Sequence, residues 1–339
     1  MTTDSRGRPL GSLRLSVTDR CNLRCSYCMP EDRYTWLPKQ NLLRFEETCE
    51  LVDVFVELGV SEVRLTGGEP LVRARVEEMV RMLASRPGIK DIAMTTNGVL
   101  LADRARGLRA AGLQRLTVSL DTLRPDRFLE LTRRDGLSSV LAGIDSARQA
   151  GFSRIKLNTV VMRGFNDDEI EEIIDYSRHA GVEARLIEYM DVGGATRWAP
   201  EKVVPKEEIL DRVARRFGPL EQLPLDGPAP AERYVLGDGT VFGVISSVSK
   251  PFCRACDRSR LTADGMWFLC LYARKGVDLG RMLRDGATPE RIRSTVQTAW
   301  STRCDHGAEE RTVLPERSAL AGEGEMAADP HLGMHTRGG

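Results

Sequence analysis

From residue 13 to about 190, short runs rich in β-branched residues alternate with longer stretches whose apolar positions recur every three or four residues. The first pattern is that of strands and the second that of helices. The strand-like runs are LRLSVTD (13–19), EVRLTGG (62–68), DIAMTTNG (91–98), RLTVSLD (115–121), RIKLNTVVM (154–162) and EARLIEYM (183–190). Between the first two, Phe45, Cys49, Val52, Phe55 and Gly59 fall on one helical stripe, which makes Cys49 a core residue and not a ligand. Six successive βα units predict an α/β fold, an incomplete (β/α)6 TIM-like barrel, with its chemistry at the C-terminal ends of the strands. Polar or Gly-rich sequence follows the strands at that rim: Thr18-Asp19, Thr66-Gly67-Gly68-Glu69-Pro70, Thr95-Thr96-Asn97-Gly98, Ser119-Leu120-Asp121 and Asn158-Thr159.

After Met190 the alternation lapses. The Pro/Gly-rich segment GPLEQLPLDGPAP (218–230) precedes two short strand-like stretches near 233–248. The chain therefore divides into an N-terminal segment (1–12), a partial barrel (13–190), a C-terminal module (191–315) and a tail (316–339). ERSALAGEGEMAADPHL (316–332) has little apolar periodicity and reads as mobile.

Acidic and basic residues balance at 49 each, so no overall field recruits nucleic acid or an anionic membrane, and any anion site must be local. No run of about 18 apolar residues predicts a membrane span, and residues 1–12 lack the apolar core of a signal peptide. A cytoplasmic protein is expected. In that compartment thiols stay reduced, so clustered cysteines read as metal or redox ligands.

Six of the eight cysteines form two triads, Cys21-x3-Cys25-x2-Cys28 and Cys253-x2-Cys256-x13-Cys270. Each stops one thiolate short of a closed site. Three thiolates can hold three corners of a [4Fe–4S] cube and leave the fourth iron to an exogenous ligand. A structural zinc ion wants four ligands, and none of His179, His306, His331 and His335 lies beside the first triad in sequence. CxxC pairs are common in zinc sites, so spacing alone leaves zinc open. Just after Cys256, Arg258-Ser259-Arg260 places two guanidinium groups on alternate residues, which in an extended segment point the same way.

The segment CNLRCSYC (21–28), with an aromatic residue before its third cysteine, resembles the cluster loop of radical S-adenosylmethionine (SAM) enzymes, and GGEP (67–70) their loop for the SAM amino group. The narrower resemblance spans nearly the whole chain and is to the MoaA family, the GTP 3′,8-cyclases of molybdenum cofactor biosynthesis. It is carried by LRLSVTDRCNLRCSYCMPE, VRLTGGEPLVR, TTNG, VSLD, KLNTVVMRGFNDDEI, RLIEYMDVG, PFCRACDRSRLTADG and Gly338-Gly339.

That resemblance implies two [4Fe–4S] clusters, SAM bound by the first, and GTP bound by the second through the guanine. It implies SAM contacts at Tyr27, Gly68, Ser119 and Met190, and GTP contacts at Arg14, Arg64, Thr95, Lys156, Arg258, Ser259 and Arg260. The implied enzyme is a radical SAM lyase/cyclase in which a 5′-deoxyadenosyl radical removes the ribose 3′ hydrogen of GTP, with no residue required as general acid or base. Gly338 and Gly339 are implied to enter the active site. Implied partners are a low-potential electron donor, a second copy in a homodimer, and cyclic pyranopterin monophosphate synthase as receiver of the product. Two positions depart from the family pattern. Glu62 stands where a basic residue is usual, and Arg337 where an apolar residue commonly precedes the two glycines. The rival readings are a radical SAM peptide maturase with an auxiliary cluster and a zinc-stabilised binding module.

Overall fold

The computed structural model describes residues 2–225 and 227–338. Six parallel strands, β1 (Ser12–Ser16), β2 (Glu62–Thr66), β3 (Asp91–Thr96), β4 (Arg115–Ser119), β5 (Ile155–Val161) and β6 (Glu183–Glu188), pair in chain order. They are the six expected from the sequence, and the fold is the expected α/β partial barrel. Alternation explains their two faces. Leu13, Leu15, Val63, Leu65, Met94, Leu116, Val118 and Leu157 point outward and are buried under the helices. Cys49, on the helix Phe45–Glu57, is fully buried in the same core. The residues between point into the bore, and many are polar, among them Arg14, Arg64, Thr95, Thr117, Lys156 and Arg185.

The C-terminal half is a separate stretch of sequence but not a separate layer. It adds β7 (Glu221–Gln222), β8 (Glu232–Val235), β9 (Val241–Ile245), β10 (Arg258–Leu261), β11 (Met266–Phe268) and β12 (Val277–Asp278) to the same sheet. The strand order is β12-β11-β10-β1-β2-β3-β4-β5-β6-β9-β8-β7. β10 lies parallel to β1 and β9 parallel to β6, so the second half of the chain extends both edges of the first. The division at residue 190 thus cuts sequence but not hydrogen bonding.

The expectation of a mobile tail is corrected. Leu320, Ala321, Met326 and Leu332 are buried, and so are His335, Thr336 and Arg337 on the short helix Met334–Arg337. What anchors the approach to it is charge, which apolar periodicity does not register. Asp191, fully buried, accepts from Arg311 Nε at 2.5 Å, Arg317 Nε at 2.7 Å and the Tyr272 hydroxyl at 2.9 Å. Arg317 also stacks on Trp198 at 5.3 Å. Gly339 lies outside the described residues.

Candidate active site

A cavity of about 300 Å³ runs through the bore and is lined by all six triad cysteines. The topology places the triads at its opposite ends. Cys21 follows the end of β1, whereas Cys256 precedes the start of β10, which runs parallel to β1. Cys270 follows β11, antiparallel to β10, and so returns to Cys256. The expected ligands therefore stand at both ends of the bore and not only at the C-terminal rim.

At the first end the chain is packed backbone against backbone. A Cβ on Gly67 would overlap the Thr18 carbonyl, and one on Gly68 the Arg20 carbonyl, so only glycine lets this loop close on the segment leading to Cys21. Glu69 behind it is fully buried and accepts from Leu71 N at 2.9 Å, Thr96 Oγ1 at 2.7 Å and Asn97 N at 2.6 Å. Burial outweighs those donors and raises its carboxyl to about 7. Tyr27, Gly68, Ser119 and Met190 all line the cavity at this end. The Tyr27 hydroxyl donates to Asp121 Oδ2 at 3.0 Å, and burial holds Asp121 at about 6.

Between the ends stands a cationic wall. Arg14 is in register with Arg64 on one side and with Arg260 on the other, and Ser12 with Arg258. Burial, then the charges of Arg260, Arg258 and Arg64, depresses Arg14 well below the ordinary arginine range. Arg64 is brought to about 10 by burial and by Arg115 and Arg185, while it donates to Thr117 Oγ1 at 3.1 Å and Thr95 Oγ1 at 3.4 Å. Lys156, in register with Thr117, is lowered to about 8 by burial and Arg185. Glu62 does not join this wall, because its carboxylate pairs with Arg115 at 3.2 Å.

Of the expected substrate contacts, Arg14, Thr95, Arg258 and Arg260 line the cavity, whereas Arg64 and Lys156 do not, and neither does Ser259. It alternates with Arg258 and Arg260, pairs in register with Leu13, and is fully buried on the outer face of the sheet. Its side chain does not line the cavity, and its hydroxyl has no partner among the described residues. The two-residue period that aims both arginines inward aims the serine outward.

At the second end, Arg258 Nη2 donates to Cys256 Sγ at 3.4 Å and its guanidinium sits 4.7 Å over the Phe252 ring. Burial opposes ionisation of Cys256, but Arg258 and Arg303 outweigh it and bring the thiol to about 7. A thiol so poised is suited to a metal, which binds the thiolate. Ala308 and Glu309 turn their backbone N–H groups toward Cys253, whose thiol burial still pushes up. A Cβ on Gly307 would come within 3.2 Å of Cys270 Sγ. Among the described residues no three His, Cys, Asp or Glu side chains converge on a single metal ion. A cubane is held by one thiolate at each of several irons, so its ligands are spread and not convergent. Triads made of thiols alone suit that group.

The segment 333–338 closes one side of the bore. Arg260 Nη1 donates to the Gly338 carbonyl at 2.5 Å, and a Cβ on Gly338 would overlap the Thr66 side chain. Sequence reasoning passed over Asn97, whose Nδ2 donates to Asn22 Oδ1 at 2.8 Å, and over Asp121, Phe252 and Arg303 near the thiols. Asn97 and Asp121 were visible as rim residues. Arg185 was visible in the alternation of EARLIE, which sets it on the inner face beside Asn158. Phe252 and Arg303 carry no local signal.

Two family models match the chain: the Radical SAM superfamily over residues 15–177 and Molybdenum Cofactor Synthesis C over residues 182–308. A curated relative, GTP 3′,8-cyclase 1 of Mycobacterium tuberculosis, is 54% identical over 336 residues, covering 98% of this chain and 94% of that protein. GTP 3′,8-cyclase of Aquifex aeolicus is 44% identical over 318 residues, covering 93% and 96%. Among solved structures, Streptococcus suis SuiB bound to S-adenosylmethionine superposes with a TM-score of 0.59 at 16% identity, covering 85% of this chain and 68% of that one. At that identity the likeness is one of fold.

Proposed function

The chain belongs to the GTP 3′,8-cyclase family of radical SAM enzymes, and on that premise we propose that it converts GTP to (8S)-3′,8-cyclo-7,8-dihydroguanosine 5′-triphosphate, the first step of molybdenum cofactor biosynthesis. The observation that carries this reading is one cavity bounded by a cysteine triad at each end and by arginines between them. A peptide maturase would have no use for such a wall of cations, whereas a triphosphate has.

In this reading Cys21, Cys25 and Cys28 hold one [4Fe–4S] cluster and Cys253, Cys256 and Cys270 a second. With SAM bound, the first supplies the 5′-deoxyadenosyl radical that removes the 3′ hydrogen of GTP. The protein's own work is placement. Tyr27, Gly68, Ser119 and Met190 form the SAM end, where the Gly67-Gly68 loop packs directly on the backbone that leads to Cys21. Arg14, Arg64, Lys156, Arg258 and Arg260 draw the triphosphate into the bore through forked, charge-assisted bonds, and Thr95 lies beside them. Held between the two triads, the nucleotide has its ribose toward the SAM end, and the narrow bore keeps water from the reacting carbon. The abstraction needs no side chain as general acid or base, since a hydrogen atom and not a proton is transferred in that step. Cyclisation joins C3′ to C8 of the guanine, and one electron and one proton complete the dihydro product. This is lyase chemistry, supported by a low-potential electron donor.

No helix among the described residues is long and apolar enough to cross a membrane; a cytoplasmic site of action is part of the proposal. Homodimerisation and transfer of the product to cyclic pyranopterin monophosphate synthase belong to the same proposal. Anaerobic incubation with SAM, GTP and a strong reductant should yield the cyclised nucleotide and 5′-deoxyadenosine. Formation of 5′-deoxyadenosine with GTP left unchanged would overturn the assignment of substrate.

A further inference from the structure

Arg337 is fully buried although no carboxylate contacts it among the described residues. Its Nη1 donates to the Leu271 carbonyl at 2.8 Å and to the Ala273 carbonyl at 2.5 Å, its Nε donates to the His331 carbonyl, and its guanidinium lies 4.0 Å over the Phe268 ring. Phe268 and Leu271 flank Cys270 in sequence. Phe268 is also the cross-strand partner of Arg260, the residue that donates to the Gly338 carbonyl at 2.5 Å. The contacts close a ring, from Arg337 to Phe268, across the sheet to Arg260, and back to Gly338 beside Arg337.

We propose that Arg337 is a positioning residue for the reaction: it clamps the loop on both sides of Cys270 and thereby sets Gly338 against Thr66 and Arg260 in the bore. An apolar side chain could fill the same volume without the desolvation of a buried cation, for which carbonyl dipoles, a ring and the more distant charge of Asp329 compensate. A buried charge of this kind specifies geometry more than it adds stability. Gly338 has φ +68 and no space for a Cβ, so its placement has little tolerance. A shift of the tail would also free Arg260 from its carbonyl and change the cation that faces the triphosphate. The activity part of this inference rests on the function proposed above, and the positional part does not.

The test uses the full-length, iron-reconstituted protein and its Arg337→Leu and Arg337→Lys variants. Hydrogen exchange is followed at Met334, Thr336 and Arg337, whose amides donate to Gly193 and Gly333 carbonyls, alongside cyclised product formed per 5′-deoxyadenosine. At equal iron content, Arg337→Leu should exchange these amides about tenfold faster or more and lower the product ratio, and Arg337→Lys should recover part of both. Wild-type exchange and an unchanged ratio in Arg337→Leu would overturn the proposal. Should Arg337→Leu fail to accumulate, Phe268→Leu removes the ring while leaving the carbonyl contacts. Faster tail exchange there supports the clamp, and unchanged exchange overturns it. If the wild type makes no cyclised nucleotide, the substrate assignment falls, while the exchange result still decides the clamp.

Discussion

Arg14 and Arg260 stand side by side in register across β1 and β10. Burial and the charge of Arg260 hold Arg14 well below its ordinary range, and burial with Arg258 brings Arg260 to about 9. A triphosphate entering here relieves a repulsion as well as making hydrogen bonds. Arg258→Ala and Arg260→Ala should each weaken GTP binding by roughly ten- to a hundredfold, the effect of about 1.5–3 kcal/mol for a charge-assisted bond. SAM binding, measured by calorimetry on the same samples, should change far less. Equal losses for both ligands would instead mean that the C-terminal half had misfolded.

Lys156 gives GTP binding a pH dependence. In the free protein burial and Arg185 hold it at about 8, so it is largely charged below that pH and neutral above it. A bound triphosphate favours the charged form and raises the pKa, so binding takes up protons and affinity falls as pH rises from about 8 toward the bound-state value. Lys156→Met should weaken binding at pH 7 and flatten this slope. A wild-type affinity that stays constant between pH 7 and 9 would remove Lys156 from the phosphate wall.

The two triads should fail differently. Reconstituted protein is expected to carry roughly eight irons per chain, four for each cubane. Cys25→Ala should abolish 5′-deoxyadenosine formation, whereas Cys256→Ala should retain some SAM cleavage and lose the cyclised nucleotide. Stoichiometric zinc without acid-labile sulfide after anaerobic reconstitution would contradict both assignments.

Asp191 should matter to stability more than to chemistry. Burial pushes its carboxyl up, but Arg317 and Arg311 outweigh burial and hold it below the usual carboxylate range. Asp191→Asn leaves two arginines facing a neutral group, a loss of about 3–5 kcal/mol for a broken buried pair, readable as a lower urea midpoint. Because the folded pKa is depressed, the contribution is present above the unfolded pKa of about 4 and fades as pH falls through the folded value. The gap between variant and wild type should therefore narrow in acid.

Much of this was legible in the chain. The six barrel strands follow from alternation, and the triads and the Arg258-x-Arg260 pair are local in sequence. What was not legible is long-range. The pairing of β10 with β1 joins residues 246 positions apart, and no local pattern encodes it. The folded tail was missed because its anchors are ion pairs and stacked arginines, not an apolar stripe. Ser259 was grouped with its neighbours by family position, although strand alternation alone sets it on the opposite face.

The sheet order also fixes a sequence of events during synthesis. β1 gains its outer neighbour only when residues 258–261 arrive, and β6 only with residues 241–245. At about 5–20 residues per second, the Cys21–Cys28 loop emerges roughly 10–50 s before the bore has both of its walls. A chain cut at residue 190 would keep the first triad yet leave two open strand edges, and it should aggregate where the full chain does not. The first triad is thus synthesised well before the strand, encoded near the other end of the chain, that completes the wall beside it.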